Sequence, residues 1–266
     1  MARKARPLIR LRVLRTERLT PHMIRVVAGG GDFASFVPNG FTDAYVKIIF
    51  PVPGVVYPDE FDLAAVRETY PREQWPRQRS YTVRYHDAKS GELAIDFVHH
   101  GDEGLAGPWA AALRPGDEFL ILGPGGAYAP REDVDWHLLA GDESALPAIA
   151  ASLEQLPAGA PGHALILVED AGEEQALATK GDVQVTWLHR SAGADLAAAV
   201  RALEFPPGTV QAFVHGEAGF VRELRRHLLD ERGVSRDLLS ISGYWRRGAT
   251  DEVWRVEKAA EAKSQA

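Results

Sequence analysis

Two rhythms of apolar and polar positions divide this chain. In its first half, short segments rich in Val, Ile, Tyr and Phe stand between Gly, Pro and Asp turns: Leu8 to Arg15, Met23 to Ala28, Tyr45 to Phe50, Ser80 to Tyr85, Glu92 to His99 and Glu118 to Leu122. Six such strands predict an antiparallel six-stranded β-barrel, interrupted by one helix from about Gly107 to Leu113. The rhythm changes near Gly123-Pro124-Gly125-Gly126. Beyond it, strand alternates with helix: Trp136 to Ala140 before Ser144 to Leu156, then Ala164 to Glu169, Val183 to His189 before Ala194 to Leu203, and Val210 to His215 before Glu217 to Arg232. That order predicts an α/β domain with a parallel sheet. The expected division is residues 1–130 and 131–266. The segment from Pro51 to Pro76, rich in proline and charge, reads as an insertion over a site or a disordered tip.

Composition narrows the function. A chain of 266 residues, 45% hydrophobic and 25% charged, is long enough for two cores. Its formal net charge of −7 argues against general nucleic-acid binding, which relies on a basic surface. No apolar run reaches membrane-spanning length, and the basic start Met1 to Pro7 lacks the hydrophobic stretch of a secretory signal, so a cytoplasmic protein without membrane insertion is expected. The absence of cysteine excludes disulfides, thiolate nucleophiles and a Cys-ligated iron–sulfur cluster. Redox chemistry, if present, must come from a bound organic cofactor.

Within the first half, Arg79-Ser80-Tyr81-Thr82-Val83-Arg84 combines an aromatic ring, hydroxyls and two guanidinium groups, as a flavin nucleotide site requires. Alternation sends Arg79, Tyr81 and Val83 to one strand face and Ser80, Thr82 and Arg84 to the other. An ordinary barrel strand with exposed arginines would read the same way. Asp96-Phe97-Val98-His99-His100-Gly101 follows, with the two histidines expected on opposite faces of a strand and no cluster suited to a protein-bound metal. In the second half, Gly141-Asp142-Glu143-Ser144 and His215-Gly216-Glu217 each place a glycine at a strand end. Ser144 is a candidate helix N-cap, and the glycines would admit a phosphate-bearing ligand to the strand ends. The three-glycine dinucleotide fingerprint is absent, and plain helix capping is the alternative.

Taken in order, Arg79-Ser80-Tyr81-Thr82, His99-His100-Gly101 with Gly107-Pro108-Trp109-Ala110, Gly141 to Pro147, His215 to Ala218 and Ser242-Gly243-Tyr244-Trp245-Arg246-Arg247-Gly248 resemble the siderophore-interacting protein family over nearly the whole chain. That resemblance implies a flavin-dependent ferric-siderophore reductase of the ferredoxin-NADP reductase-like superfamily, with an FAD-binding barrel and an NAD(P)H-binding α/β domain. It assigns Arg79, Ser80, Tyr81 and Thr82 to the flavin ring and phosphates, and Asp96, Val98, His99 and His100 to the flavin and adenosine flanks. Ala106, Gly107, Trp109 and Ala110 would offer amides to the pyrophosphate. Gly141, Asp142, Ser144 and Glu217 would line the nicotinamide cleft, with Tyr244 and Trp245 bordering the flavin. Trp109 as core, His100 as a surface residue and Glu217 as a first-turn charge are the competing readings.

By the same resemblance, Lys47 and Arg246, assisted by Arg247, would attract an anionic ferric siderophore. Snorkelling and solvation are the plain alternatives for these cations. Many relatives carry a basic residue where this chain has Gly123 to Gly126, which implies a weaker or differently shaped anion site. NADPH or NADH would be the electron donor, with a ferredoxin left open, and a monomer is expected. A general flavin reductase and a non-enzymatic siderophore-binding module are the competing functions.

Overall fold

The computed structural model describes residues 7–58 and 60–264, leaving aside the side chains of 255, 259 and 261–264. The chain divides into two units. The first comprises the residues up to Glu17, Ile24–Asn39 and Ala44–Gly125; the second comprises Arg18–Met23, Gly40–Asp43 and the residues from Gly126 on.

Strict alternation builds the first unit. In β1 (Leu8–Thr20), Ile9, Leu11 and Val13 are buried while Arg10, Arg12 and Leu14 face water. With β2 (Met23–Gly29), β3 (Tyr45–Phe50), β4 (Arg77–Asp87), β5 (Glu92–Val98) and β6 (Glu118–Gly125) it closes a barrel in the order β1-β2-β5-β4-β3-β6. Closure pairs β1 with β6, Ile9 opposite Ile121, and so removes the free edges that an open sheet would expose. Val46, Ile48, Ile95, Phe97 and Ile121 join those residues in the core.

The segment between β3 and β4 is a folded insertion rather than a disordered tip. Asp62 caps α1 (Leu63–Thr69) by accepting from the Ala64 amide at 2.8 Å. The Tyr57 hydroxyl donates to the Gln74 carbonyl at 2.7 Å, and the Trp75 indole to that of Tyr70 at 2.9 Å. After β5 comes α2 (Ala106–Ala112). Because β5 ends at Val98, His99 and His100 lie beyond the strand, and the expectation that strand alternation sets their faces is corrected.

In the second unit, β7 (Trp136–Asp142) is buried along its entire length, as the centre of a covered parallel sheet must be. It is followed by α3 (Leu146–Gln155), β8 (Pro161–Val168), β9 (Asp182–His189), α4 (Leu196–Ala202), β10 (Val210–Glu217), α5 (Ala218–Arg226), β11 (Leu239–Trp245) and α6 (Asp251–Ser264). The sheet order is β11-β10-β7-β8-β9, with all neighbours parallel. Chain order therefore reverses direction between β7 and β10. In this unit the periodicity reading missed β11, whose Ser240, Ser242 and Tyr244 are half-buried at a sheet edge, and α6, whose sequence is mostly charged or alanine. Among the described residues no helix is long and apolar enough to cross a membrane.

A buried ion pair ties two barrel strands together. Arg25 on β2 donates from Nε and Nη2 to the two oxygens of Asp96 on β5, at 2.7 and 2.8 Å. Since the Asp96 side chain is only 4% exposed, losing its partner strands a buried charge. Arg25→Ala should lower unfolding free energy by about 2–4 kcal/mol, whereas Arg25→Met with Asp96→Leu should recover most of that loss. Urea denaturation checks both; equal losses in the single and double variants would contradict the pairing.

Candidate functional site

Register fixes the faces of β4. Tyr81 lies opposite Val46 and Arg79 opposite Ile48, while Ser80 lies opposite Lys47 and Thr82 opposite Tyr45. Residues paired across an antiparallel ladder share a face, and Val46 and Ile48 point into the core. Tyr81 thus leans on the barrel interior, its ring 4.4 Å from that of Phe97 and tilted by 37°. It remains half-buried. Arg79 Nη1 donates to the Gln78 carbonyl at 3.0 Å, and Lys47 with Ser80 forms an outward-facing pair.

At the end of β5 the backbone approaches α2 closely. A Cβ on Gly107 would sit 3.0 Å from the Val98 carbonyl oxygen and 3.4 Å from His99 Cα, so only glycine fits without a shift. Leu105, at the N-cap, makes no side-chain capping bond; Pro108 has no amide hydrogen and Trp109 donates to the Leu105 carbonyl at 3.4 Å, so the amides of Ala106 and Gly107 are the ones without an acceptor inside the helix. Ala106 and Ala110 are buried beneath them. Trp109 is an aromatic core residue, with ring centroids 5.1 Å from Phe50, 5.7 Å from Phe97 and 5.5 Å from Phe119. Asp96, expected beside a flavin, accepts one bond from Arg25 on each of its oxygens.

The second unit gathers its chemistry where chain order reverses, which in open parallel sheets is where ligands bind, beyond the carboxyl strand ends. Asp142 ends β7 and is 1% exposed. Its Oδ1 accepts from the Ser144 amide at 3.0 Å and the Ser144 hydroxyl at 2.5 Å; Oδ2 accepts from the Glu217 amide and the Trp245 indole, each at 2.8 Å. One carboxylate thereby joins the ends of β7, β10 and β11. Burial raises its pKa to about 6 against the opposing pull of the Ser144, Trp245 and Glu217 donors.

These contacts change several expectations. Asp142 is a buried joint rather than a cleft-lining group, and Ser144 does not cap α3, whose N-cap is Ala145. The glycines serve protein packing: a Cβ on Gly141 would meet the His215 carbonyl oxygen at 2.6 Å, and one on Gly216, at φ +137°, would meet the Asp142 carboxyl at 2.6 Å. Glu217 caps α5, its Oε2 accepting from the Gly219 amide at 2.6 Å, while Oε1 accepts from the Arg247 amide at 3.2 Å. Trp245 keeps 36% exposure with its indole tethered, and the Tyr244 ring lies 4.9 Å from His215. His215 is buried against Phe213, and desolvation lowers its pKa to about 3. Arg246 is paired with Glu257 of α6 at 2.6 Å, a partner that sequence spacing had not suggested.

Sequence reasoning also missed the Arg190 cluster. Arg190, just after β9, reaches Glu143 and Glu169 at the ends of β7 and β8. The acids were visible as strand-end residues, but their common partner depends on the sheet order. Among the described residues no group of three or more His, Asp and Glu side chains could hold a metal ion.

Comparison with known proteins gives a consistent picture. Residues 134–248 match the siderophore-interacting protein family model, and residues 12–128 match that of the siderophore-interacting FAD-binding domain. An uncharacterized protein of Mycobacterium tuberculosis is 45% identical, covering 98% of each chain. The ferric vibriobactin reductase ViuB of Vibrio cholerae is 33% identical, covering 92% of each. The crystal structure of a siderophore utilization protein from T. fusca superposes with a TM-score of 0.78 at 40% identity, covering 93% of this chain and 97% of the other.

The Asp142 joint has a pH signature. Its native pKa lies above the ordinary carboxyl value of 3.8, so the folded protein binds more protons there than the unfolded chain. Asp142 therefore contributes a stability that falls as pH rises from about 4 to about 6 and is flat above. Asp142→Asn should abolish that slope and cost about 2–4 kcal/mol at pH 7, because an amide nitrogen would face donors. Tryptophan fluorescence should show a transition near pH 6 that disappears in Trp245→Phe. Denaturation series from pH 4 to 7 and a fluorescence titration check these outcomes; an unchanged slope in Asp142→Asn would contradict them.

Proposed function

Because this chain belongs to the siderophore-interacting protein family, we propose that it is an FAD-dependent ferric-siderophore reductase driven by a reduced nicotinamide nucleotide. The observation that carries the reading is the uncapped first turn of α2, set against Val98 and His99 by Gly107, within a barrel that matches an FAD-binding domain. Backbone amides in that arrangement suit a pyrophosphate. In this reading residues 1–130 hold the flavin and 131–266 the nucleotide.

Bound FAD supplies the conversion of a two-electron donor into single electrons for Fe(III). The chain's own residues bind and orient. Arg79 and the α2 amides of Ala106 and Gly107 hold phosphate, while Tyr81, Ser80 and Thr82 present ring and hydroxyls to the isoalloxazine. Val98, His99 and His100 border the adenosine side. Gly141, Ser144, Glu217, Tyr244 and Trp245 frame the strand ends of the second unit, Asp142 holding them in place from beneath. Lys47, on the outward face beside Ser80, attracts the anionic chelate. Arg246 contributes only when its pair with Glu257 opens or is shared, and Arg247, whose amide is anchored on Glu217, adds charge just after β11. Fe(II) binds hard oxygen donors less tightly than Fe(III), so reduction releases the metal from its chelator.

Purified protein should be yellow, with FAD close to one per chain. Arg79→Ala should lower flavin retention at least fivefold, measured by released FAD after gel filtration. Normal retention would remove Arg79 from the phosphate site.

Acceptor binding is tested separately. With an anionic ferric siderophore and a ferrous trap, Lys47→Ala should raise KM about three- to tenfold at low salt with kcat little changed, and the difference should shrink as salt screens the charge. A neutral ferric chelate should respond less. Unchanged KM for the anionic substrate would show that Lys47 does not hold it.

A further inference from the structure

The carboxyl ends of β7 and β8 lie side by side, Asp142 paired with Leu167, and β8 runs directly into Glu169 and Asp170. In a parallel sheet of this kind the group after the second strand of the first βαβ unit meets the adenosine ribose of a dinucleotide. A carboxylate there accepts from a 2′-hydroxyl, whereas a 2′-phosphate calls for a cation. Arg190 places a guanidinium beside these ends, and it is already closed. Nη1 and Nη2 grip the two oxygens of Glu143 at 2.7 and 2.9 Å, and Nη1 also reaches Glu169 at 2.9 Å. Glu143 is 7% exposed and would be left as a buried unpaired charge if Arg190 swung away. The neighbouring His189 is spent on Glu174 at 2.8 Å. Glu169 retains 46% side-chain exposure and Asp170 is exposed, so the carboxylates, not the guanidinium, face an incoming ribose.

Resting on the reading of the second unit as the nucleotide domain, we propose that this edge takes NADH and turns NADPH away. Glu169 and Asp170 discriminate against the 2′-phosphate, and Glu143 holds Arg190 out of its service. The carboxylates act in two ways, offering acceptors to the free 2′-hydroxyl and repelling a dianion.

Calorimetric titration of the full-length protein with NAD⁺ and NADP⁺, and anaerobic bleaching of its visible absorbance by NADH and NADPH, test the proposal. NAD⁺ should bind at least tenfold more tightly than NADP⁺, with the same order in bleaching rate. The double variant Glu169→Gln, Asp170→Asn keeps an acceptor for Arg190 and for the Gly172 amide that Asp170 holds at 2.7 Å, so its fold should survive. Its preference for NAD⁺ should fall at least fivefold. Equal or tighter binding of NADP⁺ by the wild type, an unchanged ratio in the folded variant, or binding of neither nucleotide would overturn the proposal. Reduction of ferric siderophore by photoreduced protein is read alongside. Its failure with NAD⁺ selectivity intact would refute the ferric-reductase reading and leave this one standing.

Discussion

The second unit depends on one buried carboxylate. Asp142 terminates the central strand, and its four accepted hydrogen bonds hold the Ser144 turn, the Glu217 start of α5 and the Trp245 end of β11. Burial makes the arrangement sensitive: an unpaired charge in that place would be costly, so all the donors must be present together. Gly141 and Gly216 follow from the same constraint, because the room their missing Cβ atoms leave is occupied by the His215 carbonyl and by Asp142 itself. Residues that read in sequence as openings for a ligand are openings for the protein's own polar joint.

The first unit solves a parallel problem with hydrophobic closure. Its barrel buries an alternating row from each strand and spends Trp109 and one face of Tyr81 on the aromatic core. The outer face carries the charged residues of β1 and β6, among them Arg10, Arg12 and Glu118, and, across β3 and β4, Lys47 with Ser80.

How much was legible follows from the range of each signal. Alternation and helical spacing act over a few residues, so the barrel strands and the α/β rhythm could be read directly. β11 could not, because an edge strand that is half-buried has no clear apolar face. The same limit explains the site. Asp142 was visible as an acid at a strand end, but its burial depends on Trp245, 103 residues later, and the engagement of Asp96 by Arg25 depends on β2 lying next to β5. The Arg246 pair with Glu257 lay in a tail whose helix had no apolar periodicity to reveal it. Motif order identified the family where local pattern could not, since it samples positions that the fold brings together.

The most direct test of the account is electron delivery to iron by the protein itself. Photoreduced, nucleotide-free protein mixed anaerobically with an anionic ferric siderophore should recover its oxidised visible spectrum and yield about two trapped Fe(II) per flavin, by electron balance. The gallium(III) complex of the same siderophore should leave the spectrum reduced. A spectrum that stays reduced with the ferric complex, or recovers without Fe(II), would contradict the assignment of this chain as a ferric-siderophore reductase.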